Sequence, residues 1–283
     1  MKYRELLMEG IHALREHEVP DPEYDARVLL TDAAKLRLQD YILHANEEAT
    51  EELALTYRQH IKSRGERVPL QHITGSQDFM GYEFYVNEDV LIPRQDTETL
   101  VIEAEKYLRD DISIVDVCTG SGCILLSLLK RNIDRFPHIT AQAIDLSDRA
   151  LTVAKKNGEA LGLSDRVTFI QSDLLMGQDE CYDVIVSNPP YIPSTVIPGL
   201  MPEVRDHDPL LALDGGQDGY DLYRRLIPQA YERLRENGML LLEIGYDQSA
   251  GVSQLMTEAG FVDIETIKDL GGCDRVVVGR KRV

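Results

Sequence analysis

The sequence contains no tryptophan and few basic residues: 30 Lys and Arg stand against 49 Asp and Glu, a formal net charge of −19 over 283 residues. Binding nucleic acid through its phosphates requires a cationic face that releases counterions. The charge balance therefore counts against that class, although a local basic groove would be compatible with it. Cysteine is also scarce. Cys118, Cys123, Cys181 and Cys273 show no paired C-x-x-C spacing, so reduced thiols are expected and a disulfide-stapled secreted fold is excluded. No apolar run approaches the ~20 residues of a membrane span. The opening MKYRELLMEGIHALREHEVP is amphipathic and carries acids throughout, unlike a signal or transit peptide. A cytoplasmic protein with no membrane partner is expected. The hydrophobic fraction of 43% is enough for a sizeable core, and the length suits one large domain or two modest ones.

Residues 1–74 read as a helical bundle for packing or partner contact. Leu6, Leu7, Ile11 and Leu14 recur at helical spacing until Val19-Pro20-Asp21-Pro22 breaks the pattern. A second helix follows with Tyr24, Val28, Leu29 and Ala33 on one stripe, and a third covers Glu48 to about Ser63. Residues 75–92 are rich in aromatic and β-branched side chains punctuated by Gly81, the pattern of a β-hairpin linker. Pro93 ends it, and Asp96 or Thr97 is placed to cap a helix starting near Glu98.

The remainder, 93–283, alternates strand and helix. Strands are expected at Ser113–Val117, Ile139–Ile144, Arg166–Gln171, Tyr182–Ser187, Met239–Ile244, Phe261–Ile267 and Arg275–Gly279. Helices are expected at Gly122–Lys130, Ser147–Leu161 and Tyr220–Asn237. This predicts an α/β, Rossmann-like fold: a seven-stranded, mostly parallel sheet with helices on both faces. The turn Asp269-Leu270-Gly271-Gly272 is too tight for a crossover helix, so the last strand should run antiparallel.

The first of these strands leads into Asp116-Val117-Cys118-Thr119-Gly120-Ser121-Gly122-Cys123. Glycines here let the chain turn and let a ligand approach the main chain, but the spacing is not the G-x-G-x-x-G of a pyrophosphate site. Asp145, ending the second strand, sits near the position at which an acid meets a ribose hydroxyl. A nucleoside with an amino-acid tail fits better than a dinucleotide. Asp116 can face an ammonium, helix-start amides a carboxylate, and Asp173 an adenine amino group. S-adenosyl-L-methionine is such a ligand. Each of these residues also has a bland reading, as a tight turn, a helix cap or a surface acid.

Ser187-Asn188-Pro189-Pro190-Tyr191, directly after the fourth strand, is more specific. Two prolines remove two donors and stiffen the segment, leaving its carbonyls available. With strand order 3-2-1-4-5, the glycine loop and Asn188 border one crevice at the switch point. An amide nitrogen is a poor nucleophile. Acceptors at the Asn188 side-chain oxygen and the Pro189 carbonyl would raise its electron density and aim its lone pair, with Tyr191 as a flat packing surface. Asp206-His207-Asp208 reads as a solvated loop, and no metal site is expected.

At these residues the chain resembles class I S-adenosylmethionine-dependent methyltransferases, and more closely the release-factor glutamine methyltransferase family (PrmC/HemK). The resemblance includes Gly75, Phe79, Gly81 and Phe84, then Val90-Leu91-Ile92-Pro93-Arg94-Gln95-Asp96-Thr97-Glu98 and the motifs above. It continues through Glu203, Pro209, Ala212-Leu213, Asp214-Gly215-Gly216, Gly219 and Asp274-Arg275-Val276. The family implies N5-methylation of the glutamine in the Gly-Gly-Gln motif of class 1 peptide-chain release factors, gripped by the N-terminal helices. It also implies that Cys118, Thr119, Gly120, Ser121 and Gly122 line the methionine end of the cofactor, Asp145 its ribose, and Asp173 and Leu174 its adenine. Asn188, Pro189, Pro190 and Tyr191 would hold the glutamine amide. Gln95 stands where the family usually has Pro, Cys118 where it has Gly, and Leu174 where some members carry an aromatic ring. Two other readings stay open: an adenine-N6 nucleic-acid methyltransferase acting on a flipped base, and a non-catalytic S-adenosylmethionine-binding protein.

Overall fold

A computed structural model describes residues 1–282. The chain forms two compact units, one of Met1–Ser76 with Met201–His207, the other of Gln77–Leu200 with Asp208–Val283. The short Met201–His207 stretch thus interrupts the expected continuous domain 93–283, and the hairpin belongs to the second unit.

The first unit is built from helices Tyr3–Glu16, Pro22–Ala33, Tyr41–His44, Glu51–Gly65 and Leu70–Thr74. Pro22 opens its helix because its missing N–H would have been unpaired there. The Thr50 hydroxyl accepts the Leu53 amide at 3.2 Å and caps helix Glu51–Gly65. Leu6, Leu14, Ala26, Leu29, Leu30 and Tyr57 are fully buried among these helices. The second helix is rotated from the stripe read in the sequence. Ala26, Leu29 and Leu30 face the core and Tyr24 is exposed, because the buried face is also the one that carries Asp25 to Arg64. Arg64 Nε donates to Asp25 Oδ2 at 2.6 Å and Nη2 to Glu203 Oε1 at 2.9 Å, while Arg67 clasps both oxygens of Glu203 at 2.8 Å. This ion network is what ties Met201–His207 to the helices.

The second unit opens within the hairpin formed by β1 (Ser76–Phe79) and β2 (Tyr82–Tyr85). Met80 and Gly81 both take positive φ, as a two-residue hairpin turn demands. The main sheet comprises β3 (Ser113–Val117), β4 (Thr140–Asp145), β5 (Val167–Gln171), β6 (Tyr182–Ser187), β7 (Leu234–Glu243), β8 (Phe261–Lys268) and β9 (Asp274–Lys281). Its order is β5-β4-β3-β6-β7-β9-β8. The five strands from β5 to β7 are mutually parallel, and β9 runs antiparallel to both neighbours. The Tyr220–Asn237 helix read from the sequence ends instead at Arg233, and β7 starts at Leu234. Leu234 already pairs with Tyr182, and Asn237 adopts φ +62° before Gly238, a bend no helix accommodates. Aliphatic residues on both faces of β3 and β6 (Ile114, Val115, Val184, Ile185) are almost wholly buried, as expected for a sheet covered on both sides. Val117 pairs with Ile144 on one side and Ser187 on the other. The register therefore brings the segments following β3 and β6 side by side.

Candidate active site

A cavity of about 240 Å³ opens beyond the C-terminal ends of β3, β4, β5 and β6. Of the residues singled out in the sequence, Cys118, Thr119, Gly120, Ser121, Asp145, Asp173, Leu174, Asn188 and Pro190 line it. Asp116, Gly122, Pro189 and Tyr191 lie outside its lining.

The glycine loop has its shape because of local bonding. Gly120 has φ +56°, and a Cβ placed on it would meet nothing within 4 Å, so the main chain there is open to a ligand. Cys118 also takes positive φ (61°), a conformation in which its Cβ is strained. Asp145 holds the loop from the neighbouring strand: Oδ2 accepts the Gly120 amide and Oδ1 the Ser147 amide, each at 2.9 Å. Burial raises its carboxyl above the usual range, with these amides opposing. Asn157, buried on helix Asp148–Ala160, adds a second tether. Its side-chain amide donates to the Ser121 carbonyl at 2.9 Å and exchanges bonds with the Tyr85 main chain.

Asp116 is wholly buried beneath the loop. Thr119 Oγ1 donates to its Oδ2 at 2.6 Å, and its Oδ1 has no hydrogen-bond partner among the described residues. Burial raises this carboxyl to about 7, with the Thr119 bond opposing and the Asp145 charge reinforcing the rise. An unpaired buried acceptor of this kind is costly unless a donor or cation completes it. Burial likewise drives the Cys118 thiol above the ordinary cysteine range. Asp173 is not an isolated acid: Arg225 Nη2 bonds its Oδ2 at 2.6 Å.

Asn188 follows β6 with its side-chain nitrogen donating to Thr97 Oγ1 at 3.4 Å. The adjoining Tyr191 is held at both ends. Its hydroxyl donates to Glu243 Oε1 at 3.4 Å, and Gln248 Nε2 donates to its carbonyl at 3.1 Å. Gly215 allows the following loop to press on this segment, since a Cβ there would lie 2.7 Å from Tyr191 Cα. The Tyr191 ring packs against the sheet's second core cluster, and burial drives its hydroxyl well above the ordinary tyrosine range.

A nucleoside bearing an amino-acid tail fits these groups. Main chain is open at Gly120, Asp145 is anchored at the cavity wall, and an unpaired carboxyl oxygen lies under the loop. Comparison with known proteins agrees. The PrmC N-terminal domain family matches residues 5–75, and the methyltransferase small domain family matches 96–196. The release factor glutamine methyltransferase of Bradyrhizobium diazoefficiens is 43% identical over 95% of this chain and 91% of its own. That of Clostridium acetobutylicum is 38% identical over 98% of each. This chain belongs to the release factor glutamine methyltransferase family. A methyltransferase structure from Pyrococcus furiosus, 16% identical, superposes with a TM-score of 0.53 over 72% of this chain and 90% of that one, a likeness of fold. Membership in this family makes the chain an S-adenosylmethionine-dependent methyltransferase with a class I fold.

Four features escaped the sequence reading. Thr97 precedes helix Glu98–Glu105 as expected of a cap, but its hydroxyl makes no capping bond and meets Asn188 instead. Asp208 is not in a solvated loop: its side chain is fully buried, and Arg94 Nη2, at the cavity rim, donates to it at 3.0 Å. Burial raises the Asp208 carboxyl to about 6 against the pull of Arg94. Glu243 lies in the apolar run Leu240–Ile244 and Asn157 in a polar stretch of a helix; neither carries a local mark of function, and only the fold brings their partners to them.

Proposed function

We propose that this protein transfers the methyl group of S-adenosyl-L-methionine to the side-chain amide nitrogen (N5) of the glutamine in the Gly-Gly-Gln motif of class 1 peptide-chain release factors. One observation carries the residue assignment. Asn188 turns its donor end toward Thr97, which leaves its carboxamide oxygen as an acceptor in the same cavity as the glycine loop.

The donor, when bound, supplies an electrophilic methyl group. Gly120, Asp145 and Asp173 hold it, and Asp116 balances its ammonium. Asn188 Oδ1 and the Pro189 carbonyl each accept one N–H of the substrate amide. That fixes the nitrogen's direction and enriches it in electrons as positive charge develops, with no covalent intermediate on the protein. The double proline makes this geometry rigid before substrate arrives. The near-full-length kinship to release factor glutamine methyltransferases supports a glutamine carboxamide as acceptor. The helices of residues 1–74 would grip the release factor.

The test combines purified protein, labelled methyl donor and a recombinant class 1 release factor. Its Gln→Ala tip variant and an adenine-containing duplex run alongside. Label in the release factor alone supports the assignment; label in the tip variant or the duplex overturns it.

A further inference from the structure

Four acids line the cavity, Asp89, Asp145, Asp173 and Asp214, against two basic side chains, Arg94 and Arg225. Arg225 is bonded to Asp173 at 2.6 Å, just beyond β5. Arg94 belongs to the other side. Three residues after it, Thr97 meets Asn188 beyond β6. Its partner Asp208 starts a stretch whose Leu213 carbonyl receives the Ile192 amide at 3.0 Å, directly after Tyr191. With the sheet order β5-β4-β3-β6, the two guanidinium groups stand at opposite ends of the site. We propose that Arg94 is the counter-ion for the α-carboxylate of S-adenosyl-L-methionine, and that Asp208 is the positioning residue that holds its guanidinium in place.

The donor carries a carboxylate beside its ammonium and sulfonium groups. A carboxylate entering a cavity with four acidic side chains is repelled by each of them and needs a cation next to it. The helix-start amides considered in the sequence are poorly placed to serve it. The Thr119, Gly120 and Gly122 amides already donate to the Ile144 carbonyl, the Asp145 carboxylate and the Thr119 carbonyl, at 3.0, 2.9 and 2.9 Å. The amino-acid tail lies over Asp116, the only placement taken from the function proposed above, and so at the β3–β6 side of the cavity. Arg94 is the basic side chain that lines the cavity on that side.

The geometry of the pair suits this task. A guanidinium has five N–H donors in a planar fork that matches a carboxylate. Among the described residues Arg94 uses one of them, Nη2 to Asp208 Oδ2 at 3.0 Å, which leaves the others for a ligand. The Arg94 side chain is 46% exposed and that of Asp208 is 0% exposed, so the arginine can reach a ligand and the aspartate acts only through it. Arg94 is also the one cation paired with Asp208 among the described residues. The arginine neutralises a buried acid, and the acid keeps a long, flexible side chain from swinging into solvent.

The experiment is titration calorimetry of the full chain with two probes: S-adenosyl-L-methionine, and its decarboxylated form, which keeps the sulfonium and the amine. Arg94→Gln should weaken binding of the first about 10- to 100-fold, the scale of a lost hydrogen bond between charged groups, and leave the second within two-fold. Arg94→Lys, a cation without the fork, should fall between parent and Arg94→Gln. Asp208→Asn should weaken the first probe by a smaller factor than Arg94→Gln and spare the second. General loosening of the cavity would affect both probes alike, so the ratio of the two Kd values reads the carboxylate contact itself. A ratio unchanged by Arg94→Gln overturns the proposal, whether both affinities fall or neither does. If neither falls while KM for the release factor rises, Arg94 serves the methyl acceptor instead. A ratio unchanged by Asp208→Asn removes Asp208 from the positioning role. No methyl transfer enters these titrations, so a parent inactive on the release factor would overturn the proposed function and leave this result standing.

Discussion

Asp145 does two jobs, and removing it should separate them. Its carboxylate is the acceptor for the Gly120 and Ser147 amides at 2.9 Å, so it shapes the glycine loop as well as facing the cavity. Asp145→Ala would leave both amides without this partner. A charged hydrogen bond contributes about 1.5–3 kcal/mol, but water from the adjoining cavity can reach these amides and the cost of holding a half-buried carboxylate disappears. A net loss of about 1–2 kcal/mol of stability follows. For cofactor binding, loss of the proposed bond to a ribose hydroxyl adds to the entropy of reordering a loosened loop, together about 2–4 kcal/mol, or roughly 30- to 1,000-fold in Kd. Asp145→Asn should fall between, since one carboxamide oxygen can serve Gly120 while the NH2 group opposes the Ser147 donor. Titration calorimetry with S-adenosyl-L-methionine gives the first quantity and thermal unfolding the second. An alanine variant whose Kd stays within two-fold of the parent refutes the reasoning, whatever its melting temperature.

Asn188→Ala should cut turnover by roughly 10²–10³ while leaving cofactor affinity within a few-fold, the scale of one oriented acceptor. Because its only side-chain bond among the described residues is the long one to Thr97, unfolding should show little change, and equal turnover would end its role. Stability should fall as pH rises from 5 to 7 and then level off. Asp116 and Glu243, buried and raised to about 7, hold protons in the native state that the unfolded chain has already released, on the order of 3 kcal/mol for each. Asp116→Asn with Glu243→Gln should flatten the melting temperature between pH 6 and 7, above the pH at which the Asp208 carboxyl titrates, and a slope unchanged in the double variant there would contradict it. In the helical unit, burial opposes ionisation of Glu203, but Arg67 and Arg64 win and pull its carboxyl down to about 2. Glu203→Gln leaves Arg64 with Asp25 and the Val68 carbonyl but without its second acid, and should destabilise that unit by about 2–4 kcal/mol, measured by denaturant unfolding. A loss below 0.5 kcal/mol would show the network to be idle.

The strand pattern was legible because β3 to β7 are buried on both faces and must be apolar, and the parallel order followed from the alternation with helices. The glycine loop, Asp145 and Asn188 could be placed together because each ends or follows a strand in a sheet whose switch point is fixed. What stayed hidden depended on partners far away in sequence. Thr97 reads as a cap, which its type and place both suggest, and only the fold brings Asn188 to it from 91 positions later. Asp208 sits in an acidic triplet that looks solvated until Arg94 is folded against it. The rotated second helix has a similar cause: Tyr24 and Val28 fit an apolar stripe, yet the position of Arg64 decides which face turns inward.

Met201–His207, which takes its anchorage from Arg64 and Arg67, has a consequence for dissecting the molecule. The two units are not separable cassettes, because seven residues of the helical one are encoded in the middle of the other. A chain shortened to start at residue 77 would keep Glu203 while losing both arginines that neutralise it, and a helical fragment ending at 76 would keep the arginines and lose their acid. Inactivity of either piece would therefore report a broken ionic clasp as readily as a missing recognition surface. Charge-neutral changes on the exposed faces of the helices are the cleaner way to ask what the small unit recognises.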